Sequence, residues 1–105
     1  MSATRAGGLD PKLLEKAIQQ TARMLKCLGH PVRLQILDFL QQAGESTVTE
    51  VYEGLGIEQA VASQHLTLMW DKGILHRRRE GVHVYYRVDS ERATKVLECI
   101  RGAAE

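Results

Sequence analysis

The stretch from Thr47 to Leu75, TVTEVYEGLGIEQAVASQHLTLMWDKGIL, constrains this chain more than any other. It reads as a short helix, a tight turn at Gly54-Leu55-Gly56, a longer second helix and a stop at Gly73. Glycine lacks Cβ and adopts positive φ at little cost, which a helix-to-helix turn requires. In the second helix Ala62, Leu66 and Met69 recur at helical spacing and predict an inward stripe. Ala60, Gln64, Thr67 and Asp71 fall about half a turn away, with Ser63 beside them. Small and amide side chains suit a helix face that slides into a groove. Gln can bond an adenine edge bidentately, and Ser and Thr serve bases or phosphates. The pattern is that of a helix-turn-helix; the plainer alternative is a pair of ordinary core helices.

A length of 105 residues makes one domain, with too little mass for two independent cores. A domain this small gains from a partner that covers its remaining apolar surface. No apolar run approaches the ~20 residues that span a membrane. The opening MSATRAGGLD has no hydrophobic segment after its arginine. We therefore expect a short flexible arm over residues 1–9 rather than a secretory signal, and a folded domain over 10–105. Cys27 and Cys99 make no disulfide framework, so the cytoplasm is the expected compartment.

The net charge of +1 says little about partners, but its distribution says more. From Leu40 to Asp71 there is no Lys or Arg, while Glu45, Glu50, Glu53, Glu58 and Asp71 are acidic. From Lys72 to Arg87 the balance inverts, with Lys72, Arg77, Arg78, Arg79 and Arg87 against Glu80. Positive charge thus gathers just after the candidate recognition helix.

Ahead of that unit, Asp10-Pro11 starts a helix, with Asp as N-cap and Pro at the first position. Its apolar residues Leu13, Leu14, Ala17, Ile18, Ala22, Met24, Leu25 and Leu28 cover a stripe wider than a small monomer needs. One edge is expected on its own domain and the other on a second subunit. After Gly29, His30-Pro31 opens a helix to about Gln42, closed by Gly44. Ser46 or Thr47 caps the next one, with Glu50 in capping-box position.

Beyond Gly73 the hydrophobic period falls to two. Ile74–Arg79 and Val82–Arg87 flank Glu80-Gly81 and predict a hairpin with an arginine-rich tip, suited to phosphate or minor-groove contact. Asp89 or Ser90 then starts a last helix with Ala93, Val96, Leu97, Ile100 and Ala104 on its apolar side. The expected fold is mainly α with a β-hairpin wing, a winged helix-turn-helix whose first and last helices build a two-fold interface.

The wording also resembles one family. LKCLGHPVRLQILDFL is similar to the leucine-x-x-pro-x-arg-leu-x-ile-leu signature of ArsR-type (SmtB/ArsR) bacterial repressors. VASQHLTLM, KGIL and REGVHVYYRV resemble that family's recognition helix and wing, and the likeness runs unbroken from about Leu25 to Val88. The resemblance implies a homodimer that binds a double-stranded operator near its own promoter and is released by a ligand. Carried over, it places DNA reading on Gln59, Ala60, Ser63, Gln64, His65 and Thr67, and wing contacts on Arg78, Arg79 and Gly81. His65 lies nearer the core side than Gln64, so an internal hydrogen bond and a phosphate contact both stay open. One of Tyr85 and Tyr86 is expected in the core, and Trp70 is expected to cap the core rather than touch DNA. The recognition unit has no basic residue of its own. Phosphate attraction then falls to helix N-terminal amides, the wing arginines, and Arg5, Lys12 and Lys16. A modest salt dependence follows.

The metal-sensing members of the family use identifiable ligand sets, and this chain lacks two of them. TVTEVYEGL has no thiol or imidazole, and Asp89 and Glu91 are followed by Arg101, Gly102 and Glu105 where imidazoles would be needed. No metal and no cofactor are expected. Some members respond to oxidants or reactive sulfur through a cysteine pair joining an early helix to the last. Cys27 and Cys99 resemble that layout, making them candidate sensors. In that subgroup, however, the early cysteine falls where this chain has Asp38. The alternatives are two buried apolar cysteines, or a metalloid-responsive site using Cys27 and His30. An enzyme is not expected: no nucleophile has a base at local spacing and no glycine loop cradles phosphate. The other open class is a winged-helix module that binds protein, which the acidic stretch from Glu45 to Glu58 suggests.

Overall fold

The computed structural model describes residues 8–105. Most of the expected arm, and Arg5 with it, lies outside the described residues. The elements run α1 (Pro11–Leu28), α2 (Pro31–Ala43), β1 (Ser46–Thr47), α3 (Val48–Leu55), α4 (Gln59–Asp71), β2 (Leu75–Glu80), β3 (His83–Val88) and α5 (Glu91–Ala103). No helix among the described residues is long and apolar enough to cross a membrane.

Local chemistry explains most boundaries. Asp10 accepts from the Lys12 amide and Pro11 occupies the first turn of α1. Thr47 and Glu50 form the expected capping box on α3. Ser90 caps α5 by accepting from the Ala93 amide. The wing is a two-residue hairpin: Glu80 pairs with His83, and Gly81 takes φ 61° at the first central position, as a type II′ turn demands.

Two local expectations need correction. The sheet has three strands in the order β1-β3-β2, because Ser46 and Thr47 pair with Tyr86 and Tyr85. A two-residue strand carries no period of its own, so nothing in the sequence announces it. The turn between α3 and α4 also works differently. Gly56 alone has positive φ there, 67°, and closes α3. Gly54 lies inside α3, where an added Cβ would sit 2.7 Å from Phe39 Cζ. Close approach of α3 to Phe39 of α2, not turn geometry, demands that glycine. Gly54→Ala is therefore expected to lower stability. Overpacking costs about 1–3 kcal/mol, against a gain of about 1 kcal/mol in helix propensity. Thermal unfolding of the two proteins checks the sign; an unchanged or higher Tm would mean that Phe39 swings aside freely.

The core joins all five helices to the sheet. Ile36, Leu37 and Leu40 of α2, Val51 of α3, Ala62, Leu66 and Met69 of α4, and Ala93 and Leu97 of α5 are buried with Ile74, Leu75 and Tyr86. Tyr86 is thus the core tyrosine and Tyr85 is half-buried. Helix α1 stands apart. Only Met24, Cys27 and Leu28, all in its second half, are buried, whereas Leu13, Leu14, Ile18 and Leu25 are exposed. Leu14, Ile18 and Leu25 share one stripe, turned away from the edge that meets the core.

Candidate nucleic-acid interface

Helix α4 is held by one face and open on the other. Ala62, Leu66 and Met69 are fully buried, each large side chain contributing about 1.5–3 kcal/mol of burial. That anchoring leaves Gln59, Ala60, Gln64 and Thr67 exposed, with Ser63 half-buried beside them. Glu58 occupies the N-cap without a side-chain hydrogen bond. The first-turn amides of α4 are left for an acceptor from outside. Ser63, Gln64 and Thr67 line a shallow depression together with Leu68, Trp70 and Asp71.

Trp70 is not a core cap. It is 37% exposed, and the Arg77 guanidinium lies 3.4 Å from its ring centre. The cation stacks on the indole face, placing Arg77 beside the end of the recognition helix. In the sequence Arg77 is one member of a charge run; its contact with an aromatic seven positions earlier has no local signature.

The three wing arginines divide by strand alternation. Arg78 pairs across the hairpin with Tyr85, lies over its ring, and donates to Glu45 (3.1 and 2.5 Å) and to Glu80 (2.6 Å). These hydrogen bonds hold the Arg78 pKa above its ordinary value and the Glu45 carboxyl below the usual carboxylate range. Two carboxylates therefore already engage Arg78. Arg77 and Arg79 lie on the opposite face, and among the described residues neither makes an ion pair. Arg79→Ala should weaken DNA binding and flatten its salt dependence by about one unit of log–log slope for each phosphate that is no longer neutralised. Arg78→Ala should leave that slope nearly unchanged. Titrations at several salt concentrations separate the two, and equal slopes for both variants would contradict this division.

His65 turns toward the domain. Its Nδ1 accepts from Arg33 Nε at 3.0 Å, and its ring packs against His30 at 4.8 Å between centroids. Burial, then the charges of Arg33 and His30, push its pKa below the ordinary imidazole value. Of the two geometries left open for His65, the internal hydrogen bond is the one present.

The candidate sensor residues part company. Both cysteines are free; Cys27 is buried and Cys99 is exposed. Asp38 of α2 instead meets Arg101 of α5 in a bidentate pair at 2.7 and 2.8 Å. That contact holds the Asp38 carboxyl below its ordinary range. The pair is partly exposed, so solvent screening leaves it a small contributor to stability. Among the described residues no group of three or more His, Cys, Asp or Glu is placed to hold a metal ion.

Residues 28–78 match the family model described as a helix-turn-helix domain. The biofilm growth-associated repressor of Agrobacterium fabrum is 36% identical over 94 residues, covering 90% of this chain and 80% of the relative. The chain belongs to the ArsR-type winged helix-turn-helix repressors. Solved structures of these repressors carry the same fold. The transcriptional repressor BigR of Xylella fastidiosa superposes with a TM-score of 0.78 at 30% identity, covering 90% of this chain and 96% of its own. A homodimeric winged helix-turn-helix domain from Mycobacterium bovis, described as a possible ArsR-family regulator, gives 0.73 at 34% identity, with 93% and 88% covered. The order of helices, wing and final helix in this ArsR-type chain is thus the winged helix-turn-helix order expected from its sequence.

Proposed function

We propose that this protein is a homodimeric operator-binding repressor that acts in the cytoplasm. Each subunit lays the Gln59–Thr67 face of α4 in a major groove and sets Arg79 and Gly81 of the wing against the flanking backbone. The observation that carries this reading is the division of α4 into a fully buried face and an exposed amide and hydroxyl face. Arg77, beside Trp70, joins Arg79 as a phosphate contact, while Arg78 acts chiefly by bracing the wing to Glu45. The exposed apolar stripe on α1, with Ile100 on α5, supports the two-fold interface.

The test is retarded migration of the DNA upstream of its own coding region, repeated across salt concentrations. With only Arg77 and Arg79 of the three adjacent wing arginines unpaired among the described residues of each subunit, the slope of log affinity on log salt should fall well short of about −10. No retardation at moderate salt would favour the protein-binding module instead.

Release from DNA is assigned to a small inducer or to modification of a thiol. Exposure of Cys99 next to Ile100 supports the thiol route, because a modified Cys99 would alter the helix offered to the second subunit. DNA binding by wild type and by Cys27→Ser/Cys99→Ser, each with oxidant, persulfide, arsenite and zinc, decides it. Identical responses to all four reagents would reduce the cysteines to packing.

A further inference from the structure

The contact between Arg33 and His65 ties α2 to the recognition helix across 32 positions of sequence. Its chemistry runs in one direction. A guanidinium holds its proton throughout the accessible pH range and presents only donors. The Nδ1 atom that accepts from Arg33 must therefore carry the lone pair, and in the neutral ring Nε2 carries the hydrogen. Arg33 is itself held, since its Nη1 donates to the Cys27 carbonyl at 2.9 Å where α1 ends. On the other side, His30 packs against the ring and is anchored by accepting from the Val32 amide. The Nε2 atom of His65 has no hydrogen-bond partner among the described residues, and it is not enclosed; the enclosed orphan is His76 Nδ1. One imidazole edge is thus fixed from behind while the other is neither bonded nor enclosed.

We propose that Arg33 is a positioning residue for DNA recognition, fixing His65 in the tautomer whose Nε2–H is offered to an acceptor on the DNA. This rests on the operator-binding reading above. It also reverses an ordinary expectation. A free surface histidine near DNA gains a charge as pH falls and binds phosphate better. Here protonation places a second N–H against the Arg33 donor and sets a cation between the two groups that face it, Arg33 and His30, both on the α2 side. Burial and these neighbours already favour the uncharged ring. Acidification through the histidine range should consequently not tighten binding, and below it binding should weaken.

Long-range proton–nitrogen spectra of the labelled wild-type protein, free in solution at about pH 7.5, where a neutral imidazole predominates, test the tautomer directly. A hydrogen on Nε2 and a bare Nδ1 are expected for His65; a tautomer mixture, or a hydrogen on Nδ1, overturns the assignment. In Arg33→Met the ring should become a mixture and titrate nearer the ordinary imidazole value. Binding is then measured on a duplex enriched by wild type from random sequence. Arg33→Met and His65→Phe should each weaken it about thirtyfold, the scale of two net hydrogen bonds, one from each subunit of the dimer. The double variant should lose little more than either alone, and His65→Gln should keep part of the affinity through its amide donor. Loss confined to one base position identifies a base acceptor, and uniform loss a phosphate; both support the proposal. Full additivity overturns it. Failure of wild type to enrich any duplex overturns the operator reading itself, whereas a wrong tautomer in a protein that enriches one removes only the role of Arg33.

Discussion

Ile18→Asp is expected to give a folded monomer that no longer binds its operator. Ile18 is 58% exposed on the half of α1 that contributes nothing to the core, so the substitution removes no internal packing. In a two-fold dimer the same side chain is buried twice, because an isologous interface repeats every contact. Burying one isoleucine is worth about 1.5–3 kcal/mol. Two copies together raise the dimer dissociation constant by roughly two to four orders of magnitude, before the cost of burying a carboxylate. Operator affinity falls with it, since two linked half-sites bind far more tightly than one. Sedimentation equilibrium with circular dichroism reads both halves of the expectation. A variant that keeps its dimer would place the interface elsewhere than on the Leu14, Ile18 and Leu25 stripe.

Gln64→Ala is expected to cut discrimination between operator and random DNA sharply while leaving the fold and non-specific binding intact. Gln64 is exposed and makes no hydrogen bond within the domain among the described residues, so its removal disturbs nothing inside. A bidentate amide contact to adenine carries about 1–3 kcal/mol of discrimination. The dimer presents two, for a loss of roughly thirty-fold to ten-thousand-fold in specific affinity. Non-specific binding depends on phosphate contacts from the wing and the α4 amides, which the substitution leaves in place. Competition of labelled operator against random duplex measures the ratio. Parallel loss of both affinities would move Gln64 from base reading to backbone contact.

The organisation of this molecule is legible in the sequence wherever a short-range rule governs it. The inward residues Ala62, Leu66 and Met69, the Thr47–Glu50 capping box, Ser90 at the start of α5 and the glycine at the wing tip each depend on neighbours within four positions. Helical or strand periodicity records such neighbours directly. The surplus of apolar residues on α1 is equally plain, because a stripe wider than the domain can cover is a property of the helix alone.

Only the tertiary structure decided which of these side chains are free to act. Nothing near Arg78 in sequence announces Glu45, nor does anything near Trp70, Arg33 or Asp38 announce Arg77, His65 or Arg101. Three adjacent arginines look alike in the sequence; strand alternation sends one to a pair of carboxylates and leaves the other two on the opposite face. Gly54 has the look of a turn residue, yet it is Phe39, fifteen positions earlier and packed against it, that requires a glycine there. The physical reason is common to all of these. Local patterns determine what a segment becomes, whereas a pairing across tens of residues depends on how helices and strands are set against one another, and that is settled only when the core closes.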